Sequence, residues 1–228
     1  MLPALMLIIM VKSGSAVDYS GNLQLRYDSG REVNPRVSDP FPDNRVDRDY
    51  FEGLFTAELF FSKLPVGDRL RLGIRLLELR PSDVDEQIYG FGDERRIDDR
   101  IYAQLSLNRW EFWLGDVYET FGRGMTLNLF ENRDLYFNSG LRGGKVTYRS
   151  GRVRFKTIYG QSRRWYLVEE ERLGGINLEY KPSPDYYFGG NLTLQDGLYY
   201  NRRFMPGAYG GFKIGPVSLY AEYAQSRL

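Results

Sequence analysis

Two arms joined by a compact turn, Phe51 to Phe61 and Arg69 to Leu79, set the pattern that the rest of the chain repeats. In the second arm Leu70, Leu72, Ile74 and Leu76 take alternate positions, and Arg69, Arg71, Gly73 and Arg75 fill the others. Successive side chains of a β-strand point to opposite faces, so one face of the arm is apolar and the other charged. Pro65, Gly67 and Asp68 supply the turn, which makes the unit a β-hairpin. Each arm has about 10 residues, the length of a tilted strand that crosses a bilayer.

The same alternation predicts strands at 18–27, 100–108, 110–118, 143–149, 152–161, 173–180, 186–195, 207–214 and 217–225. The facing of 110–118 is open, because Phe112, Trp113 and Leu114 are consecutive. The connections alternate in length. Short ones lie at 63–68, 109, 150–151, 181–185 and 215–216; long ones at 28–49, 80–99, 119–142, 162–172 and 196–206. Short turns on one side and long loops on the other mark bacterial outer-membrane barrels. The expected fold is therefore all-β, an antiparallel up-and-down transmembrane β-barrel over residues 17–228. A soluble all-β sandwich is the alternative. If the first strand leaves the periplasm, strand eleven ends outside the cell. Single-chain barrels have even strand numbers, so the expectation is an N-terminal fragment of about 11 strands of a longer barrel. A twelfth strand at 121–130, with Met125, Leu127 and Phe130, is the other way to count.

Composition removes several classes of chemistry. There are no Cys and no His residues. Disulfides, thiolate and imidazole metal sites and Ser-His or Cys-His catalysis go with them. No cofactor is expected, and the chain is not expected to be an enzyme. Charged residues make up 27%, which excludes a helical membrane protein but not a barrel, where only alternate residues meet lipid. A net charge of +1 gives no steering toward nucleic acid. Leu2 to Val11 is apolar and is followed by Gly14 and Ala16, so residues 1–16 read as a signal peptide, although no basic residue precedes the apolar run.

The segment 115–144 is the least strand-like part. Gly115, Asp116, Tyr118, Glu119, Phe121, Gly122 and Gly124 are followed by Glu131, Arg133, Leu141, Arg142 and Gly143. This run resembles a motif of a porin-like outer-membrane family classified only as a domain of unknown function. The resemblance implies a large barrel and no activity. Glycines permit turns closed to other residues. Folded into the lumen, the segment would bring Glu131, Arg133, Asp134 and Arg142 into a constriction. As an external loop, it would merely be stitched by surface ion pairs.

The polar face of the expected strands carries Arg26, Glu52, Glu58, Arg69, Arg71, Arg75, Lys145, Arg154, Lys156, Glu179, Lys213 and Glu222. Arg69, Arg71, Arg75, Lys145, Arg154 and Lys156 would favour anions if they line a pore. Pairing with the acids would give a mixed polar lumen instead. The expected function is passive diffusion of small polar solutes through the outer membrane of a gram-negative bacterium. A non-conducting scaffold that binds through its long loops is the alternative. The partners expected are outer-membrane lipid, small polar solutes and a protein at the exterior or at the barrel's closure.

Overall fold

A computed structural model describes residues 17–28, 31–33, 45–47, 50–64, 67–80, 96–132, 137–162, 171–197 and 202–227. The expected signal peptide, 1–16, lies outside them. So do Arg133 and Asp134. In chain order the strands are β1 (Val17–Asp28), β2 (Arg31–Val33), β3 (Arg45–Asp47), β4 (Tyr50–Leu64), β5 (Gly67–Arg80), β6 (Arg96–Leu107) and β7 (Trp110–Val117). Then come β8 (Glu131–Asn132), β9 (Phe137–Asn138), β10 (Leu141–Ser150), β11 (Val153–Ser162), β12 (Arg172–Tyr180), β13 (Tyr186–Asp196), β14 (Arg203–Ile214) and β15 (Val217–Ala224).

The long strands form one antiparallel sheet that is not closed, in the order β1-β4-β5-β6-β7-β10-β11-β12-β13-β14-β15. Each long strand pairs with the next long strand in the chain, which is the up-and-down order. The pairs β2–β3 and β8–β9 are separate two-stranded ribbons within two of the long connections. The chain divides into two compact units. One holds residues 18–59 and 72–101, and the other holds 1–17, 60–71 and 102–228. In the first unit Leu54 and Leu77 are buried, while β1 is exposed along Asp18 to Tyr27.

In the second unit the registers fix which residues share a face, because directly opposed residues of an antiparallel pair point the same way. Val117 opposes Leu141, and Trp113 opposes Lys145. Thr147 opposes Lys156, and Lys145 opposes Ile158. Asn177 opposes both Lys156 and Asn191, and Asn191 opposes Gly207. Glu222 opposes Tyr209. These residues make one face of the sheet, and the register settles β7: Glu111, Trp113, Gly115 and Val117 lie on it. The opposite face carries Trp110, Phe112, Leu114, Val146, Tyr148, Tyr159, Ile176, Leu178, Phe188, Leu194 and Leu219.

Burial sorts these faces against the usual order. Leu114 is 65% exposed, Tyr159 62% and Leu178 53%, while Thr193 is 0% and Asn177 3% exposed. A sheet of a water-soluble protein turns its apolar face to the core. Here the apolar face is open and the polar face is covered. The cover is the connection between β7 and β10. Within it the stretch 121–130 forms no twelfth strand and makes only one bridge, Thr120 to Asn128. The buried apolar cluster of Val117, Phe121, Leu127, Leu129, Leu141 and Ile158 sits under that connection, with Trp113 and Leu173 packed against it.

Candidate functional site

The described parts of the connection, 118–132 and 137–140, are held as a small knot of backbone bonds. Phe121 N–H donates to Leu127 O at 3.0 Å, and Gly124 N–H to Phe121 O at 2.8 Å. Leu129 N–H donates to Glu119 O at 2.9 Å, and Ser139 N–H to Phe130 O at 3.0 Å. Asn138 Oδ1 accepts from the Tyr118 hydroxyl at 3.1 Å and from Gly140 N–H at 2.9 Å. The tight turn needs left-handed backbone at Gly122 (φ 58°) and Gly124 (φ 101°), a region that costs other residues about 1–2 kcal/mol.

Four contacts fasten this knot to the polar face. First, the Glu119 carboxylate accepts from Lys156 Nζ at 2.7 Å and pairs with Lys145 Nζ at 3.2 Å. Lys145 also donates to Tyr118 O at 3.4 Å and lies over the Trp113 ring. Second, the Glu222 carboxylate accepts from Arg123 N–H at 2.8 Å, from Met125 N–H at 3.4 Å and from the Tyr220 hydroxyl at 2.7 Å. The Arg123 guanidinium stacks over the Tyr220 ring at 4.2 Å. Third, the Thr126 hydroxyl donates to Asn191 Oδ1 at 2.7 Å. Fourth, the Phe121 ring rests on Gly175, where a Cβ would stand 2.7 Å from the ring. That close approach is why β12 has no side chain at this position of the covered face.

Glu119 sits in the connection, outside the strands. Burial alone raises its pKa. The hydrogen bond from Lys156 and the charges of Lys145 and Lys156 outweigh burial and hold it below the ordinary carboxylate value. The carboxylate therefore stays ionised between its two ammonium partners.

The expected site residues separate. Lys145 and Lys156 come together on Glu119. Arg154 lies on the same face and pairs with Glu179 at 3.8 Å. Glu179 also accepts from the Tyr209 hydroxyl, which takes a hydrogen bond from Asn177 Nδ2. Arg71 is half-buried over the Phe60 and Tyr102 rings, and Tyr102 stacks on Trp113 at 5.0 Å. Arg69 is exposed, and Arg75 is half-buried in the other compact unit. Glu131 is half-buried in β8. Arg142 departs from the expectation that it joins a constriction. It is an odd number of residues from Lys145 on one strand, so it points to the opposite face, where it meets Asp116 at 3.7 Å. Among the described residues no cluster of acidic groups is arranged to hold a metal ion.

Of the fasteners, Glu222 is among the charged residues read on the polar face, whereas Glu119 and Phe121 are not among the residues expected to line a pore or constriction. Glu119 and Phe121 belong to the glycine-rich motif, and Glu222 to the polar-face alternation. Nothing in one sequence joins the motif to a strand 99 residues away. Residues 87–191 match a family of unknown function, DUF6029. The span includes β6, β7, the folded-in connection and β10 to β12. No curated protein matches the chain.

Proposed function

We propose that the chain is an outer-membrane barrel of porin type, which lets small polar solutes diffuse past the connection folded on its inner face. The observation that carries this reading is the inverted sheet, apolar on its open face and polar on its covered one. Lipid stabilises the first arrangement and water the second. The apolar band also has a suitable height. From Arg142 to Ser150 a strand rises about 27 Å at about 3.4 Å per residue. A tilt of about 40° reduces that to about 21 Å, against a band of about 25 Å in known outer-membrane barrels. Near the short turns the open face carries Trp110, Tyr148, Tyr180 and Phe188. Trp110 meets Tyr148 at 4.6 Å, and Tyr180 meets Phe188 at 5.4 Å. Aromatic rings of this kind suit a membrane–water boundary.

In such a barrel the edges of β1 and β15 are not left open to lipid, because a bilayer does not satisfy exposed backbone groups. The lumen cations Lys145, Lys156 and Arg154 already have acidic partners, so selectivity for anions is expected to be weak. The buried cluster around Phe121 favours a second reading, a plugged barrel that works as a scaffold through its long loops.

Conductance of the full-length protein in a planar bilayer separates these readings. Discrete steps that scale with salt support the channel. Insertion without conductance leaves the scaffold. A protein that stays folded and soluble without detergent sinks the membrane reading and returns the sandwich.

A further inference from the structure

The open apolar face ends in a polar row on the side of the long connections. Asp116 opposes Arg142, Arg142 opposes Gln161, Gln161 opposes Arg172, and Arg172 opposes Asp196. The row is continuous across five neighbouring strands, and its members sit at one level by register. Arg202, at the entry to β14, extends it by meeting Asp196 at 4.0 Å. The arginines therefore stand on alternate strands, about 10 Å apart at about 4.8 Å per strand. Their side chains remain accessible despite these neighbours. Arg142 is 53% and Arg202 87% exposed, and Arg172 is exposed. Three arginines against two aspartates leave a net positive row, and Asp116 is itself buried. Directly below the row the same face turns apolar, with Ile176 and Leu178 following Arg172 on β12. At the opposite end of the band the same face carries the rings of Trp110, Tyr148, Tyr180 and Phe188.

We infer that Arg142, Arg172 and Arg202 form a binding row for the phosphates of anionic lipid headgroups in the leaflet at the long-connection end. The inference rests on the membrane reading. A guanidinium is a planar fork of donors that matches phosphate oxygens, and it stays charged at any relevant pH. The apolar positions beneath each arginine would take the acyl chains of the same lipid. Headgroup and chain are then recognised together, which a free phosphate ion does not reproduce.

The test uses the full-length protein inserted into vesicles of phosphatidylcholine containing about one quarter phosphatidylglycerol, in which one net cation at the surface gives about fivefold enrichment of anionic lipid. Lipid co-purifying with the inserted protein is quantified by mass spectrometry against the bulk ratio. Wild-type protein should be enriched about fivefold in phosphatidylglycerol. The triple variant Arg142→Gln/Arg172→Gln/Arg202→Gln should fall to the bulk ratio. Arg152→Gln, at the short turn on the opposite side of the band, should keep the enrichment. Salt at about 1 M, which shortens screening to about 3 Å, should abolish the wild-type enrichment and needs no variant to fold. Inserted wild type with bulk lipid, enrichment that persists in the triple variant, or enrichment that resists salt overturns the row and leaves the membrane reading standing. Failure of the wild type to insert removes both.

Discussion

Gly122→Ala should release the inner-face connection. At φ 58° an alanine pays about 1–2 kcal/mol for its backbone alone. Its Cβ would also stand 2.6 Å from Glu222 Oε1 and 2.9 Å from the Tyr220 hydroxyl. Ordinary contact begins near about 3.5 Å, so the carboxylate must withdraw by about 0.9 Å. The Arg123 N–H bond to Glu222, now 2.8 Å, would then lengthen beyond hydrogen-bonding range. A bond to a charged group contributes about 1.5–3 kcal/mol. The two effects together come to about 2.5–5 kcal/mol, and about 2.8 kcal/mol, near the low end, is roughly a 100-fold rise in the opened population. Trypsin reads this directly at the bond after Arg123, because cleavage there follows the open population when reclosing is fast. The appearance rate of that fragment should rise roughly 100-fold, with the circular dichroism of the sheet unchanged. A double-mutant cycle isolates the clash. In a Glu222→Ala background, Gly122→Ala should cost only the backbone part, about 1–2 kcal/mol. Fully additive effects would refute the contact between the turn and β15.

Phe121→Ala should destabilise the fold by about 3–5 kcal/mol in a denaturant titration, because the ring is fully buried on Gly175; a loss under about 1 kcal/mol would show that the connection does not pack there. Glu119→Gln leaves Lys145 and Lys156, both partly buried, without their counter-charge and should cost about 1.5–3 kcal/mol at neutral pH. The folded pKa of Glu119 is depressed, so its contribution is present above the unfolded value near 4.5 and is lost as pH falls through the lower folded value. A stability profile against pH should therefore drop on that acidic limb in the wild type and be flatter there in Glu119→Gln. Ile176→Arg distinguishes lipid from water around the open face. In a bilayer the change should cost about 2–4 kcal/mol of insertion stability near the midplane, whereas on a water-exposed surface it would stay within about 0.5 kcal/mol.

Much of the sheet was legible in the chain. A period of two residues carries its own facing, so Val146 and Tyr148 against Lys145 and Thr147, or Leu192 and Leu194 against Asn191 and Thr193, could be assigned before any register was known. The turns expected at 109, 150–151 and 215–216 fall at 108–109, 151–152 and 215–216, where Asn108, Gly151 and Gly215 hold left-handed backbone. The facing of strand β7 was open in the sequence, because bulky residues occupy both faces, and only its pairing with β10 decided that Trp113 lies on the covered face. Arg142 was grouped with Glu131, Arg133 and Asp134 by closeness in sequence. Strand alternation sends it to the other face.

By itself the sequence determined the all-β class, since two-residue alternation is a local property. It also marked 115–144 as irregular, through glycines that no strand needs. Only the tertiary structure decided where that segment goes. The Glu119 carboxylate could have met solvent, and Glu222 could have met other cations, with no change in any local pattern. What places them is the register of β10 to β15, which brings Lys145, Lys156, Asn191 and Glu222 under one short loop. Contacts between residues so far apart depend on how strands pair across the sheet, and strand propensity does not encode that pairing.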